Sequence, residues 1–251
     1  MAPDILPGER LDAVNDKIEL IQKPDGLTFG TDALLLAGYI RGKYGEAAEL
    51  GGGSGIISML VATRKKAEKI TVYEVQESYA DLTSRNIRHN SLSDKVQSVC
   101  LDCREIPREM YGKCELVFTN PPYMRADSGY LNDADGKRAA RHEMNGDISD
   151  FVLSAAKLLK YGGAFYAVYR PDRLCDLIAA MRDGGIEPKA TTFVHARTGS
   201  EPSMLLICGR RGGKPGMKVT RPLVIYGDDG KYTDDMNFIM DNGSFPPGYS
   251  L

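Results

Sequence analysis

Between residues 47 and 211 two rhythms of apolar residues alternate along the chain. Short runs rich in β-branched and aromatic residues read as strands: "AAEL" (47–50), "KITVYEV" (69–75), "KVQSVCL" (95–101), "ELVFTN" (115–120) and "AFYAVYR" (164–170). Among them "GIISMLVATRKK", "QESYADLTSRNIRHN", "ISDFVLSAAKLLK" and "PDRLCDLIAAMRDGG" carry apolar residues at helical spacing, the third expected to stop at Gly162-Gly163. Strand–helix alternation implies right-handed crossovers and a parallel sheet. Two closing strands, "ATTFVHAR" (190–197) and "SMLLICGRR" (203–211), are joined by a short turn, so the last runs antiparallel. The pattern predicts an α/β fold: a seven-stranded, mostly parallel sheet with helices on both faces.

Upstream, "KIELIQK" (17–23) alternates as a short strand and "PDG" turns it back. "TDALLLAGYIRG" (31–42) reads as a helix that Thr31 or Asp32 can cap and Gly42 can end. With no repeat and no Ser/Gly linker, residues 1–251 read as one domain: a hairpin and helix over 1–42, the core sheet over 43–210 and a C-terminal extension over 211–251. Two segments escape the rhythm, the polar loop 125–146 and the Gly-, Pro- and Tyr-rich tail from about 210. The loop is too long for a simple connection and is a candidate functional loop.

Composition narrows the classes. Lys plus Arg is 32 and Asp plus Glu is 34, so bulk charge does not favour nucleic acid and any such contact needs a local patch. The N-terminus lacks a signal-peptide pattern, and the apolar runs are too short to cross a bilayer. The five scattered cysteines read as reduced thiols of a cytoplasmic protein. The lone CxxC at Cys100 and Cys103 has no second pair at zinc spacing, so a core role is expected there and no metal.

"ELGGGSGIISML" places Gly51, Gly53 and Gly55 between a strand end at Glu49-Leu50 and a helix. Glycines there let a ligand approach the backbone and meet helix N-terminal amides. A dinucleotide fingerprint would need a third glycine where Ile56 or Ser58 stands. Glu74, about twenty residues past the glycines, lies where an acid can accept both hydroxyls of a cofactor ribose; a surface glutamate is the bland alternative. Asp102 ends the third strand, where a turn or helix cap is equally open. "NPPY", Asn120 to Tyr123, ends the fourth strand, where ligands of such sheets collect. Its two prolines hold the backbone stiff.

The spacing E-x-G-x-G-x-G resembles motif I of class I S-adenosylmethionine (SAM)-dependent methyltransferases, with their Rossmann-like fold. NPPY resembles motif IV of the enzymes that methylate an exocyclic or amide nitrogen. The resemblance implies SAM as cofactor, held by Glu49, Gly51, Gly53, Gly55, Glu74, Val75 (along the adenine), Asp102 (at the adenine amino group) and Asn120. It implies catalysis by Asn120, Pro121, Pro122 and Tyr123. The Asn120 side-chain oxygen and the Pro121 carbonyl would each accept one N–H of a conjugated amine, aiming its lone pair. The Tyr123 ring offers a stacking face. No metal is needed, because the leaving group is already good.

"FGTDALLLAGYI", "ELGGGSGIISML", "VYEVQ", "NPPY", "ARHE" and the C-terminal "EPSMLLICGRRGGKPGMKVTRPLVIYGDDGKYT" together resemble the bacterial tRNA1(Val) (adenine-N6)-methyltransferase group, over residues 10–235. That implies methyl transfer to adenine N6 next to the anticodon, and Thr31 and Asp32 at the methionine end of SAM. Gly52 departs from the usual Thr or Cys and implies an unusually flexible loop. Substrate contacts are expected at Arg141 and His142, and at Arg210, Arg211 and Lys214 in an acid-free stretch, helped by Lys137 and Arg138. A solvated charged loop explains either stretch equally well. His89 and His195 read as structural. The partner expected is structured RNA, with the chain a monomer or weak homodimer and no membrane. Rival readings are a release-factor-type glutamine-N5 enzyme, which carries a helical N-terminal domain, a guanine-N2 rRNA enzyme, which is usually longer, and a catalytically silent RNA-binding subunit, which tends to lose these motifs.

Overall fold

The computed structural model describes residues 4–23, 30–122 and 147–249. The alternating rhythm becomes β3 (Tyr44–Leu50), α2 (Ile56–Thr63), β4 (Ala67–Glu74), α3 (Glu77–His89), β5 (Val96–Cys100) and β6 (Cys114–Thr119). Then come α4 (Ile148–Leu158), β7 (Leu159–Tyr169), α5 (Leu174–Asp183), β8 (Ile186–Arg197) and β9 (Pro202–Arg211). Before these lie β1 (Arg10–Asn15), β2 (Ile18–Gln22) and α1 (Thr31–Tyr39); after them, β10 (Lys218–Val219), β11 (Leu223–Tyr226) and α6 (Asp234–Asn242).

The strand order is β8-β9-β7-β6-β3-β4-β5, with β9 antiparallel to both neighbours and the other pairs parallel. This is the expected α/β architecture. The sheet is wider than seven strands among the described residues, because β10 and β11 add in parallel to the outer edge of β8. From β3 the chain winds out to β5 and returns to β6 on the other side, so the gap between β3 and β6 is the switch point where ligands of such sheets bind.

Period-two alternation feeds two cores. Leu116, Phe118, Ala164, Tyr166 and Val168 face one, with α1, α2 and α6; Val117, Phe165, Ala167 and Tyr169 face the other, with α4 and α5.

Four details differ from the sequence expectations. Strand β2 pairs with β1 before it, in an antiparallel hairpin, and among the described residues with no strand after it; the turn expected at "PDG" lies outside the described residues. Helix α1 ends at Tyr39 and not at Gly42, because the Lys66 ammonium donates to the carbonyls of Ala37 (2.7 Å), Gly38 (3.1 Å) and Ile40 (2.6 Å). Helix α4 stops at Leu158, and Gly162-Gly163 lie inside β7; a Cβ on Gly163 would stand 2.9 Å from the Lys160 carbonyl, next to a register shift against β6. The tail forms β10, β11 and α6, the helix capped by Thr233, whose hydroxyl accepts from the Met236 amide at 3.3 Å.

The ends of the chain are fastened to this frame. Arg85 of α3 makes a buried ion pair with Glu9 (2.6 Å), tying down the N-terminal segment. Phe245 packs edge-on against Tyr39 (centroids 5.2 Å apart), and Arg41 donates to the carbonyls of Phe245 and Pro246. His89 pairs with Glu19 and the His195 ring meets the Ser200 carbonyl.

Candidate functional site

At the carboxyl edge, either side of the switch point, the expected glycine loop, Glu74, Val75, Asp102, Asp32 and Asn120 converge. Gly51, Gly53 and Gly55 all have positive φ, +73°, +55° and +79°, which glycine alone adopts without strain. Gly55 is the left-handed N-cap of α2. Among the described residues nothing stands within 4 Å of where a Cβ on Gly53 would be, so there this backbone is open to a ligand.

The loop is not slack. Gly51 and Gly52 donate to the Tyr73 carbonyl, Gly55 donates to that of Gly52, Thr83 donates to that of Gly53 (2.8 Å) and Asn86 to that of Ser54 (3.0 Å). These bonds tie down the loop that Gly52 was expected to leave flexible. A Cβ on Gly52 would overlap the Val72 side chain, so this glycine answers a packing constraint. Thr83 and Asn86 were not legible as site residues, since their role depends on α3 lying against the loop.

Glu49, next to last in β3, is fully buried and accepts from the Ser58 amide (3.1 Å) and hydroxyl. Burial, outweighing those donors, pushes its carboxyl up to about 8. It ties the end of β3 to the first turn of α2. Glu74, 5% exposed, accepts from the Gly53 amide (3.0 Å) on one oxygen and the Gln76 amide (2.9 Å) on the other. The bland reading of Glu74 as a surface residue is set aside by that burial. Val75 beside it is exposed, an apolar surface that a flat ring can cover. Asp102 caps a short 3-10 turn through the Arg104 amide (2.9 Å) and pairs with the Arg104 guanidinium (2.5 Å), which holds its carboxyl below the usual range.

On the other side of the switch point, Thr119 donates to the Leu50 carbonyl (2.8 Å), joining the ends of β6 and β3. Asn120 follows, partly buried, with Pro121 buried. The Asn120 amide group donates to Asp32 Oδ2 at 2.7 Å. Thr31 and Asp32 do not cap α1: the N-cap is Gly30, and Asp32 Oδ1 accepts from the Ala33 amide. The α1 N-terminus thus stands against the NPPY strand end.

Tyr123, Arg141, His142, Lys137 and Arg138 lie outside the described residues. Arg210, Arg211 and Lys214 are not brought to this site. Arg210 pairs with Ala164, which pairs with Leu116, four residues before Asn120. That is about 13 Å toward the amino edge. Arg210 donates to the Gly162 carbonyl there, and Arg211 to that of Gly184. The carboxyl edge instead carries Arg197, at the end of β8, and Lys231, just past β11; both are exposed.

Comparison with known proteins agrees with this geometry. The family described as "Methyltransferase small domain" matches residues 25–176. Curated relatives described as tRNA1(Val) (adenine(37)-N6)-methyltransferase include one from Phocaeicola vulgatus, 26% identical over 71% of this chain and 74% of its own. A second, from Mannheimia succiniciproducens, is 26% identical over 82% of each chain. Among solved structures, a "predicted O-methyltransferase" from Agrobacterium tumefaciens superposes with a TM-score of 0.69 at 22% identity, over 86% of this chain and 98% of that one. A tRNA methyltransferase of M. jannaschii gives 0.55 at 15% identity, over 82% and 55%; these two share the fold.

Proposed function

Because the chain belongs to the methyltransferase small domain family and is a SAM-dependent methyltransferase, we propose that its acceptor is the N6 amine of an adenine in tRNA, beside the anticodon. The observation that carries this reading is Asn120-Pro121-Pro122 at the end of β6, at the switch point, across from the glycine loop. The curated relatives, spanning most of the chain, support the choice of adenine and of tRNA1(Val). Such an enzyme works in the cytoplasm, where tRNA is.

The residues present fit the cofactor. The open backbone at Gly53 leaves room for close approach, and the α2 N-terminus offers amides. Each Glu74 oxygen already holds one amide and keeps a second lone pair for a ribose hydroxyl. When bound, SAM supplies an electrophilic methyl on a sulfonium. The rest is the work of this chain. The adenine N6 lone pair is delocalised into the ring and is a poor nucleophile. Asn120 Oδ1 and the Pro121 carbonyl accept its two N–H groups and turn the lone pair toward the methyl. As the nitrogen gains positive charge, these acceptors hold it more tightly than in the ground state. The methylated nitrogen then carries two protons and a positive charge; one proton passes to water and the other stays on the N6-methyladenine product. Arg197 and Lys231 stand on the same edge and suit phosphates of the anticodon arm.

The test is tritiated SAM with tRNA1(Val), rRNA and release factor in parallel. Label in the tRNA, recovered as N6-methyladenosine, is the expected result; label only in release factor overturns the reading. Asn120→Ala should lower kcat about 10²–10³-fold and leave SAM affinity nearly unchanged.

A further inference from the structure

Asp32 stands where the family resemblance assigns a cofactor contact, yet among the described residues its carboxylate meets the side chain of Asn120. We propose that Asp32 is a positioning residue, which fixes which end of the Asn120 amide meets the acceptor amine and sharpens that end as an acceptor. The inference rests on the adenine-N6 reading above.

An Asn side chain has two ends of opposite use. Only its oxygen can accept an N–H; its NH₂ group, turned to the acceptor amine, would oppose donor to donor. The two ends differ by a rotation about one soft bond. The Asp32 carboxylate removes the ambiguity, because it accepts and the amide nitrogen must face it: Asn120 Nδ2 donates to Asp32 Oδ2 at 2.7 Å. Sharing Cγ with Nδ2, Oδ1 then points away from Asp32. Donation to a carboxylate also draws electron density onto Oδ1, so it accepts more strongly from an amine gaining charge.

The carboxylate is itself held. The Ala33 amide donates to Asp32 Oδ1 at 2.9 Å, so each oxygen has its own donor. A Cβ on Gly30 would stand 2.6 Å from Asp32 Oδ1, so the missing side chain at Gly30 leaves the space this carboxylate uses. Helix α1 is anchored away from the site by Lys66 on its last carbonyls, by Phe245 on Tyr39 and by Ile239 against Gly38. The bond joins residues 88 apart in sequence. It is therefore a product of tertiary structure, and a rigid second layer of support is what a catalytic acceptor needs.

The experiment has two readouts. The first needs no SAM and no RNA: ¹⁵N-asparagine-labelled protein, with the Asn120 side-chain amide assigned by its loss in Asn120→Ala. A charge-assisted bond predicts a downfield, exchange-protected Nδ2 proton that moves upfield in Asp32→Ala and largely returns in Asp32→Asn, whose amide oxygen can still accept. An unchanged signal in Asp32→Ala overturns the proposal. The second readout is kinetic. Asp32→Ala should lower kcat about 10- to 100-fold, as loss of an outer partner of a working group does. Its SAM Kd, by calorimetry, should stay within about 3-fold, and Asp32→Asn should restore most of kcat. In the Asn120→Ala background, Asp32→Ala should cost nothing further. Additive losses, or a SAM Kd that weakens in step with kcat, return Asp32 to the cofactor and overturn the proposal. If the wild type methylates no tRNA, the functional reading fails while the amide signal still decides the bond.

Discussion

The two edges of the sheet treat charge in largely opposite ways, with Glu115 on the Gly45 amide at the amino edge as an exception. At the carboxyl edge acids face backbone amides: Glu49 takes the Ser58 amide, Glu74 those of Gly53 and Gln76, Asp102 that of Arg104 and Asp147 that of Asp150. At the amino edge cations face carbonyls: Lys66 takes those of Ala37, Gly38 and Ile40, Arg210 that of Gly162 and Arg211 that of Gly184. The cause is the fold. Right-handed crossovers bring helix N-termini to the carboxyl edge and helix C-termini to the amino edge, so each edge presents the orphan groups, and the dipole end, that attract the opposite charge. An acid-rich edge suits a cationic cofactor. A run of arginines at the other edge is already occupied with carbonyls.

The sharpest way to break this comparison is Glu74→Ala. It removes the acceptor for two loop amides and the ribose partner, and SAM Kd should rise about 10- to 100-fold; unchanged affinity by calorimetry removes Glu74 from the cofactor site. The counterpart at the amino edge is Lys66→Met. Three carbonyls at the end of α1 lose their donor, and urea denaturation should show a loss of roughly 1–3 kcal/mol with SAM affinity little changed.

The buried charges of the two edges also carry opposite pH slopes. Folded Glu49 keeps its proton to about 8, where an ordinary carboxyl loses it near 4.5. Its contribution to stability is present below 4.5 and is lost as pH rises toward 8. Burial, with Arg64 and Arg41 near, pushes Lys66 down to about 7 from 10.5, so stability rises with pH between those values. Glu49→Gln should flatten the first slope and Lys66→Met the second, in denaturation midpoints measured from about pH 5 to 10. The smallest expected effect concerns RNA. Arg197→Ala with Lys231→Ala should raise the KM for tRNA a few-fold and flatten its salt dependence, the slope falling by about 1 for each phosphate no longer held. Arg210→Ala with Arg211→Ala should leave KM within about 2-fold; the reverse outcome puts the RNA on the amino edge.

Much of this was legible along the chain because it depends on local chemistry. Left-handed glycines between a strand and a helix, and prolines after an apolar strand, mark their places without reference to anything distant. A hairpin was expected here and β2 was legible by its alternation, but β1 was missed because its residues are polar and half-exposed, so the partner of β2 was placed on the wrong side of it. Helix α6 was hidden in a tail whose glycines and tyrosines read as loop, although Thr233 and the acids after it are a cap signal. The register that carries Arg210 away from Asn120 was hidden too, since a basic stretch reads the same at either edge.

By itself the sequence determined the order of strands and helices, the two-faced sheet, the glycine loop and the stiff Asn-Pro-Pro end of β6, because each follows from backbone preference and apolar spacing within a few residues. Only the tertiary structure decided that Asp32 meets Asn120, that Thr83 and Asn86 pin the glycine loop, that Val72 leaves Gly52 no room for a side chain, and that Lys66 closes α1. Those contacts join residues from 20 to 88 positions apart, and nothing in a local pattern states which distant donor will find which acceptor. Packing of α1, α2 and α3 against one sheet decides it.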